Sequence, residues 1–150
     1  MALPTQIELR VVTPDRQIVH ERVDEVEVPG SQGYFGVLPG HTPMLAMLSV
    51  GELWYRKGEE KTYVAIAFGF AEILPDSVTI LAQLAERAGE IDVDRAQAAL
   101  ERARERVGQP TGDIDYERAR AALQKSLNRL QVASRLGLNP RTGELKRVRT

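Results

Sequence analysis

Hydrophobic and polar positions follow two different periods along this chain, and the change falls near residue 86. Before it, short runs rich in β-branched and aromatic residues recur: IELRVVT from Ile7, QIVHERVDEVEV from Gln17, MLSVGELWYR from Met47, KTYVAIAFGFAEIL from Lys61 and SVTILAQL from Ser77. Within the second run Val23, Val26 and Val28 keep close to period two. The segments TPD, PGSQG, LPGHTP, KGEE and PDS separate these runs, and their Gly, Pro and Asp residues supply the free or fixed φ that turns require. Strands this closely spaced, with no helix between them, predict an antiparallel sandwich or barrel.

After Glu86 the chain changes to Ala, Arg, Glu, Gln and Leu, the strong helix formers. Val93, Ala96, Leu100, Ala103 and Val107 step by three and four residues, which predicts a helix with a one-sided apolar seam. GQPTG at 108–112 stops it, and a second helix carries Tyr116, Ala119, Leu123, Leu127 and Leu130. Two such helices joined by a short Gly/Pro loop form an antiparallel hairpin. The expected fold class is therefore β + α: an N-terminal antiparallel β-sandwich over residues 1–87, then an antiparallel α-helical hairpin over 88–135. A basic tail without a period, 136–150, is expected to fray. The alanine-rich seam allows close approach but buries little area, so the hairpin reads as a detachable arm.

With 150 residues, 43% of them hydrophobic, the chain supports one core plus an appendage. It has no cysteine, which excludes disulfides and thiolate metal sites. The longest uncharged apolar stretch, VAIAFGFA at 64–71, is far short of the roughly 18 residues of a spanning helix, so any membrane link is expected to be indirect. MALPTQIELR carries no targeting pattern. The net charge of −1 hides an asymmetry: residues 1–90 hold 7 Lys/Arg against 13 Asp/Glu, and residues 91–150 hold 13 against 8. From Tyr116 onward the count is 9 basic against 2 acidic, which predicts an acidic partner for the arm. Nucleic acid fits poorly, because no aromatic follows Tyr116 on which bases could stack.

Signals for catalysis are weak. His20 and His41 are the only histidines, and no phosphate-binding GxxxxGK[ST] loop exists. Gly30, Gly33 and Gly36 form a GxxGxxG that runs into Val37-Leu38-Pro39 instead of opening a helix, so its amides are not presented to a phosphate. No catalytic or metal site is expected. The segment GYFGVLPGHTPML, with His41 bracketed by Pro39 and Pro43, is more distinctive, because the prolines hold the histidine near a stiff tip.

That segment, the VGEL that follows it, the β-rich head and an alanine-rich hairpin carrying IDxxRA together resemble the epsilon subunit of bacterial rotary ATP synthases, over roughly residues 5–133. The resemblance implies a non-catalytic central-stalk subunit with a flattened ten-stranded sandwich that grips the gamma subunit and touches the c-ring. The segment 31–42, with Ser31, Gln32, His41 and Thr42, matches the loop that faces the c-ring. The hairpin in such subunits lies folded on the sandwich or extends toward the catalytic beta subunits and blocks ATP hydrolysis. An arm stripe of Arg118, Lys125 and Arg129, nearly opposite the apolar seam, would meet their acidic segment. The implied location is peripheral, on the cytoplasmic face of a bacterial plasma membrane or the equivalent organelle membrane. The alternatives are a free-standing sandwich module and a soluble nucleotide sensor.

The stretch GEIDVDRAQAAL at 89–100 nearly repeats as GDIDYERARAAL at 112–123. Duplication favours a shared structural job, with Asp92 and Asp115 accepting hydrogen bonds from free amides at the two helix starts, and Asp94 and Glu117 favouring the positive helix ends. In ATP-binding members that the chain resembles, this motif joins two arginines one turn apart on the second helix. Ile91, Asp92, Arg95, Ala96 and Arg129 match that pattern, while Lys125 stands at the other arginine position and lacks the bidentate fork. ATP is thus an expected regulatory ligand of the first copy, held weakly; no cofactor is required.

Overall fold

The computed structural model describes residues 2–109 and 112–137. Seven strands form one sheet: β1 (Ile7–Val12), β2 (Gln17–Val23), β3 (Glu25–Gly30), β4 (Gly33–Val37), β5 (Met44–Lys57), β6 (Glu60–Ile73) and β7 (Ser77–Arg87). A 3₁₀ turn (Ala88–Glu90) leads to helices α1 (Val93–Gly108) and α2 (Asp113–Ser134), and a second 3₁₀ turn (Arg135–Gly137) follows. The sheet order is β2-β1-β7-β6-β5-β3-β4. Of the tail, only Leu136 and Gly137 are described; the rest of that expectation lies outside the described residues.

The sheet becomes a sandwich by folding across its three longest strands. Leu48 pairs with Gly69 and Val50 with Ala67, while Ala67 pairs with Leu84 and Gly69 with Ala82, so Ser49, Phe68 and Gln83 form an interrupted row in an unshifted register. The inward-facing residues change parity at this row. On one side of it the core takes Leu48, Ala71, Ile73, Val78, Ile80 and Ala82; on the other it takes Leu53, Tyr55, Val64, Ile66 and Ala85. Because side chains alternate with period two, a parity change in all three strands at one row turns each strand over. In β6 the crease is made by consecutive positive φ angles, Phe68 at 59° and Gly69 at 132°. A Cβ on Gly69 would collide with the Leu81 carbonyl oxygen and Ala82 Cα, so glycine is required there both by conformation and by space.

Three expectations are corrected. Seven strands stand in place of ten, because β5 and β6 each run unbroken for 14 residues through both layers. GYFGV is strand β4 and not loop, since it zips back along β3 from Gly30↔Gly33 to Val26↔Val37. The ladder is also not wholly antiparallel, because β1 lies parallel to β7. Asp24 splits QIVHERVDEVEV into β2 and β3, and its carboxylate ties three segments together. It accepts from the Gly58 amide at 2.7 Å and Gln6 Nε2 at 3.3 Å, and faces Arg56 at 3.6 Å.

Two outcomes follow. Gly69→Ala is expected to cost well over the ~1 kcal/mol of an ordinary positive-φ glycine, whereas Gly58→Ala, also at positive φ but facing open space, stays near that figure. Chemical denaturation of both variants measures this. The Gly58 amide, then Gln6 and Arg56, hold the Asp24 carboxyl below its usual range. Its stabilisation is therefore complete above the unfolded value of roughly 4 and lost as pH falls through the lower folded value. Asp24→Asn should be less stable than the parent at neutral pH, with the gap closing below about pH 4 in pH-dependent melting curves.

Candidate functional site

Folding the sheet leaves two outer faces of opposite character. On the layer formed by the second half of β5, the first half of β6 and the end of β7, Glu52 pairs with Ala65 and Ala65 with Glu86, placing two carboxylates in one cross-strand row on either side of a small residue. Helix α2 covers this row. Val132 packs in a cluster with Ala65, Ala88, Ile91 and Ala96. Arg129 Nε lies 2.7 Å from Glu86 Oε1, turned off the line of a hydrogen bond, and Nη2 donates to Oε2 at 3.2 Å. Arg135 donates to both Glu52 oxygens, at 3.0 and 3.1 Å, with its guanidinium 5.1 Å from the Tyr63 ring centre. Asn128 Nδ2 donates to the Gly51 carbonyl at 2.8 Å, and Lys125 Nζ sits 5.4 Å above Phe68.

The layer formed by the first half of β5, the second half of β6 and the start of β7 has an apolar outer face. Met47 pairs with Phe70 and Phe70 with Leu81, and these neighbours are 60%, 58% and 55% exposed. Leu45, further exposed, extends the row along β5. The amide of Ser31 donates to the Met47 carbonyl at 2.8 Å, which sets the exposed Ser31-Gln32 turn beside this row.

The nominated loop residues are not brought together. Ser31 and Gln32 precede β4, while His41 and Thr42 follow it, so a five-residue strand of roughly 17 Å intervenes. His41 Nδ1 contacts the Thr42 carbonyl at 2.7 Å, and Gly40 is tied to Pro75 at 2.7 Å, which places this loop beside the β6–β7 turn. They are two surfaces.

The arm residues separate in the same way. Arg118 is exposed, but Lys125 and Arg129 face the sandwich and are engaged there, so the three do not form a free stripe in this arrangement. The α2 seam is corrected as well: Leu127 points to solvent and Ser126 is buried, its hydroxyl bonded to the Ala122 carbonyl at 2.9 Å. On α1, Ala96, Leu100 and Ala103 are buried as the seam predicts, while Val93 is half exposed.

Ile91, Asp92, Arg95 and Ala96 lie together at the entry to α1. Asp92 is the N-cap of α1, accepting from the Arg95 amide at 3.0 Å, Ile91 and Ala96 belong to the buried cluster, and Arg95 is exposed. The second copy starts differently, because α2 begins at Asp113 with Gly112 as its cap, so Asp115 lies inside the first turn. Between Lys125, Arg129, Glu86 and Leu84 a cavity of only about 20 Å³ remains. That space is about the size of one water, and it is lined by Lys125 and Arg129 but not by Ile91, Asp92, Arg95 or Ala96. Among the described residues no cluster of His, Asp and Glu suits a metal. Glu52, Glu86, Asn128 and Arg135 were missed from the sequence. The detectable signal was an acid at an outward position inside each of two strong strands.

The architecture is thus a creased sandwich with one face under a helical hairpin. The ATP synthase delta/epsilon chain β-sandwich domain matches residues 6–88, and the long α-helix domain of the same chains matches 90–134. The chain belongs to the ATP synthase delta/epsilon family, and within it to the epsilon subunits. The ATP synthase epsilon chain of Syntrophobacter fumaroxidans is 52% identical over 130 residues, 87% of this chain and 97% of its own. That of Solibacter usitatus is 50% identical over 108 residues, 72% of this chain and 81% of its own. Among solved structures, a chain of the Euglena gracilis mitochondrial ATP synthase OSCP/F1/c-ring assembly superimposes with TM-score 0.75 at 27% identity, covering 85% of this chain and 81% of that one.

The cap assignment is tested by Asp92→Ala, which is expected to destabilise the α1 start by about 1 kcal/mol. Amide exchange at residues 93–96 should quicken while exchange in β5 and β6 stays as in the parent.

Proposed function

We propose that this chain is a non-catalytic rotor subunit whose sandwich joins a gamma-type subunit to the c-ring and whose helical arm restrains ATP hydrolysis. The observation that carries this reading is the exposed apolar row Met47, Phe70 and Leu81. A monomer that left such a row in water would expose a contiguous sticky face, so a partner surface is its natural cover. In this reading the row meets the gamma-type subunit and the adjoining Ser31-Gln32 turn meets the c-ring, with His41 and Thr42 on a separate surface. The chain associates with the membrane peripherally, at the cytoplasmic face in a bacterial host; among the described residues no helix is long and apolar enough to span a bilayer.

Restraint of hydrolysis would come from the arm in its lifted state, with Arg118, Lys125 and Arg129 meeting acidic beta-subunit surface. Lys125 and Arg129 become available only on leaving Phe68 and Glu86. ATP as a regulatory ligand would have to compete with Glu86 for Arg129, which already has an anion in the folded arm.

The core cluster of the sandwich draws only on residues 7–85, so the head has the means to fold without the arm. A chain ended after Arg87 is expected to assemble on the stalk, support proton-coupled ATP synthesis and raise hydrolysis. Phe70→Asp in the full chain should weaken capture of the stalk at least roughly tenfold with its circular dichroism unchanged. Failure of the shortened chain to assemble, or full binding by Phe70→Asp, would overturn the reading.

A further inference from the structure

The row Glu52–Ala65–Glu86 and the helical residues Arg135, Val132 and Arg129 are matched in spacing as well as in charge. Two strand separations of about 4.8 Å set the carboxylate-bearing positions roughly 10 Å apart. Six residues of helix at 1.5 Å per residue span about 9 Å between the two arginines. Val132, three residues from each, lands on the cluster that contains the small middle residue Ala65. Covering two carboxylates with a helix would be strongly unfavourable without cations in register, since a charge deprived of water must be paired. The Glu52 side chain is only 11% exposed, and it is the one held by both nitrogens of a guanidinium fork. The apolar part of the contact is made by alanines, Ile91 and Val132, with Tyr63, Leu130 and Ala133 partly buried against them.

We propose that Glu52 and Glu86 form an internal anionic latch that holds α2 on the sandwich through Arg135 and Arg129, with no nucleotide needed to keep the arm folded. The same arginines are thereby withheld from any acidic partner, and a partner's carboxylates must displace Glu52 and Glu86 to take the arm. This second half rests on the reading that the lifted arm meets an acidic subunit. The first half stands on the folded contact alone. Guanidinium groups favour either set of carboxylates for the same reason, so the balance depends on how many anions each surface offers and on how well they match the nine-to-ten-ångström spacing.

The test uses the full-length chain, in which the lack of native cysteine permits clean labelling. Spin labels on cysteines placed at the exposed positions Glu59 and Gln131 report the distance between head and arm by pulsed electron resonance. The parent should show one docked distance without ATP, and millimolar ATP should leave it in place. Glu52→Gln with Glu86→Gln should lower the docked-to-undocked ratio by roughly tenfold, with helicity intact. Rising salt should undock the parent and have less effect on that double variant. Exchanging the pair, Glu86→Arg with Arg129→Glu, should restore docking lost in Glu86→Arg alone. An unchanged distance in the double glutamine variant, no rescue by the exchange, or docking that appears only with ATP would overturn the latch. Hydrolysis by the assembled complex separates the two readings: an undocked arm that leaves hydrolysis unaltered refutes restraint by the arm while the latch stands.

Discussion

The structure depends on one constraint, the crease at Ser49, Phe68 and Gln83. In a flat sheet with strict alternation, the apolar residues of the two halves would fall on opposite faces. Turning three strands over at a single row brings the apolar residues of both halves inward and leaves two separate outer faces. The conformational cost is confined to β6, where a non-glycine residue at positive φ precedes a glycine at positive φ. Because the register does not slip, cross-strand rows stay intact on either side. That continuity sets Glu52, Ala65 and Glu86 in one line, and Met47, Phe70 and Leu81 in another.

Those rows give the faces different energetics. The apolar row has no polar groups to satisfy and gains from any cover, so it suits a lasting contact. The carboxylate row is under the opposite rule: it tolerates cover only from a surface that supplies cations in register. Its apolar share comes from small alanines with Val132, Ile91, Tyr63 and Leu130, a fully buried aliphatic side chain being worth about 1.5–3 kcal/mol. A contact so divided is specific in geometry and moderate in strength, which are the properties a reversible arm requires.

Much of the fold was legible in the sequence, because the switch from period two to steps of three and four is set by side-chain geometry and needs no tertiary knowledge. Family membership followed from the combined motifs. The failures share a cause, which is that they concern what a segment packs against. GYFGV has too many glycines to read as a strand by propensity, yet β3 supplies a partner and Val37 a buried anchor. Leu127 fits an ideal seam, but α2 must serve both α1 and the sheet, so its buried positions spread over two faces and the small Ser126 fills the inner one. The head's excess of acid and the arm's excess of base were both countable, whereas the fact that two acids lie in one cross-strand row required the register.

The two copies of the duplicated motif have diverged in role. In the first copy the chain leaves β7 through a 3₁₀ turn, so Gly89 is spent on that turn and Asp92 is left to cap. In the second copy the helix begins three residues earlier in the motif than in the first, with Gly112 as the cap residue, and Asp115 sits within the first turn. Nearly identical letters therefore take different duties in the two copies. The arginine after each aspartate follows suit, since both Arg95 and Arg118 project from early turns into solvent, away from the carboxylate row. The cations that reach that row come instead from the last part of α2 and the 3₁₀ turn that follows it, which place Arg129 over Glu86 and Arg135 over Glu52.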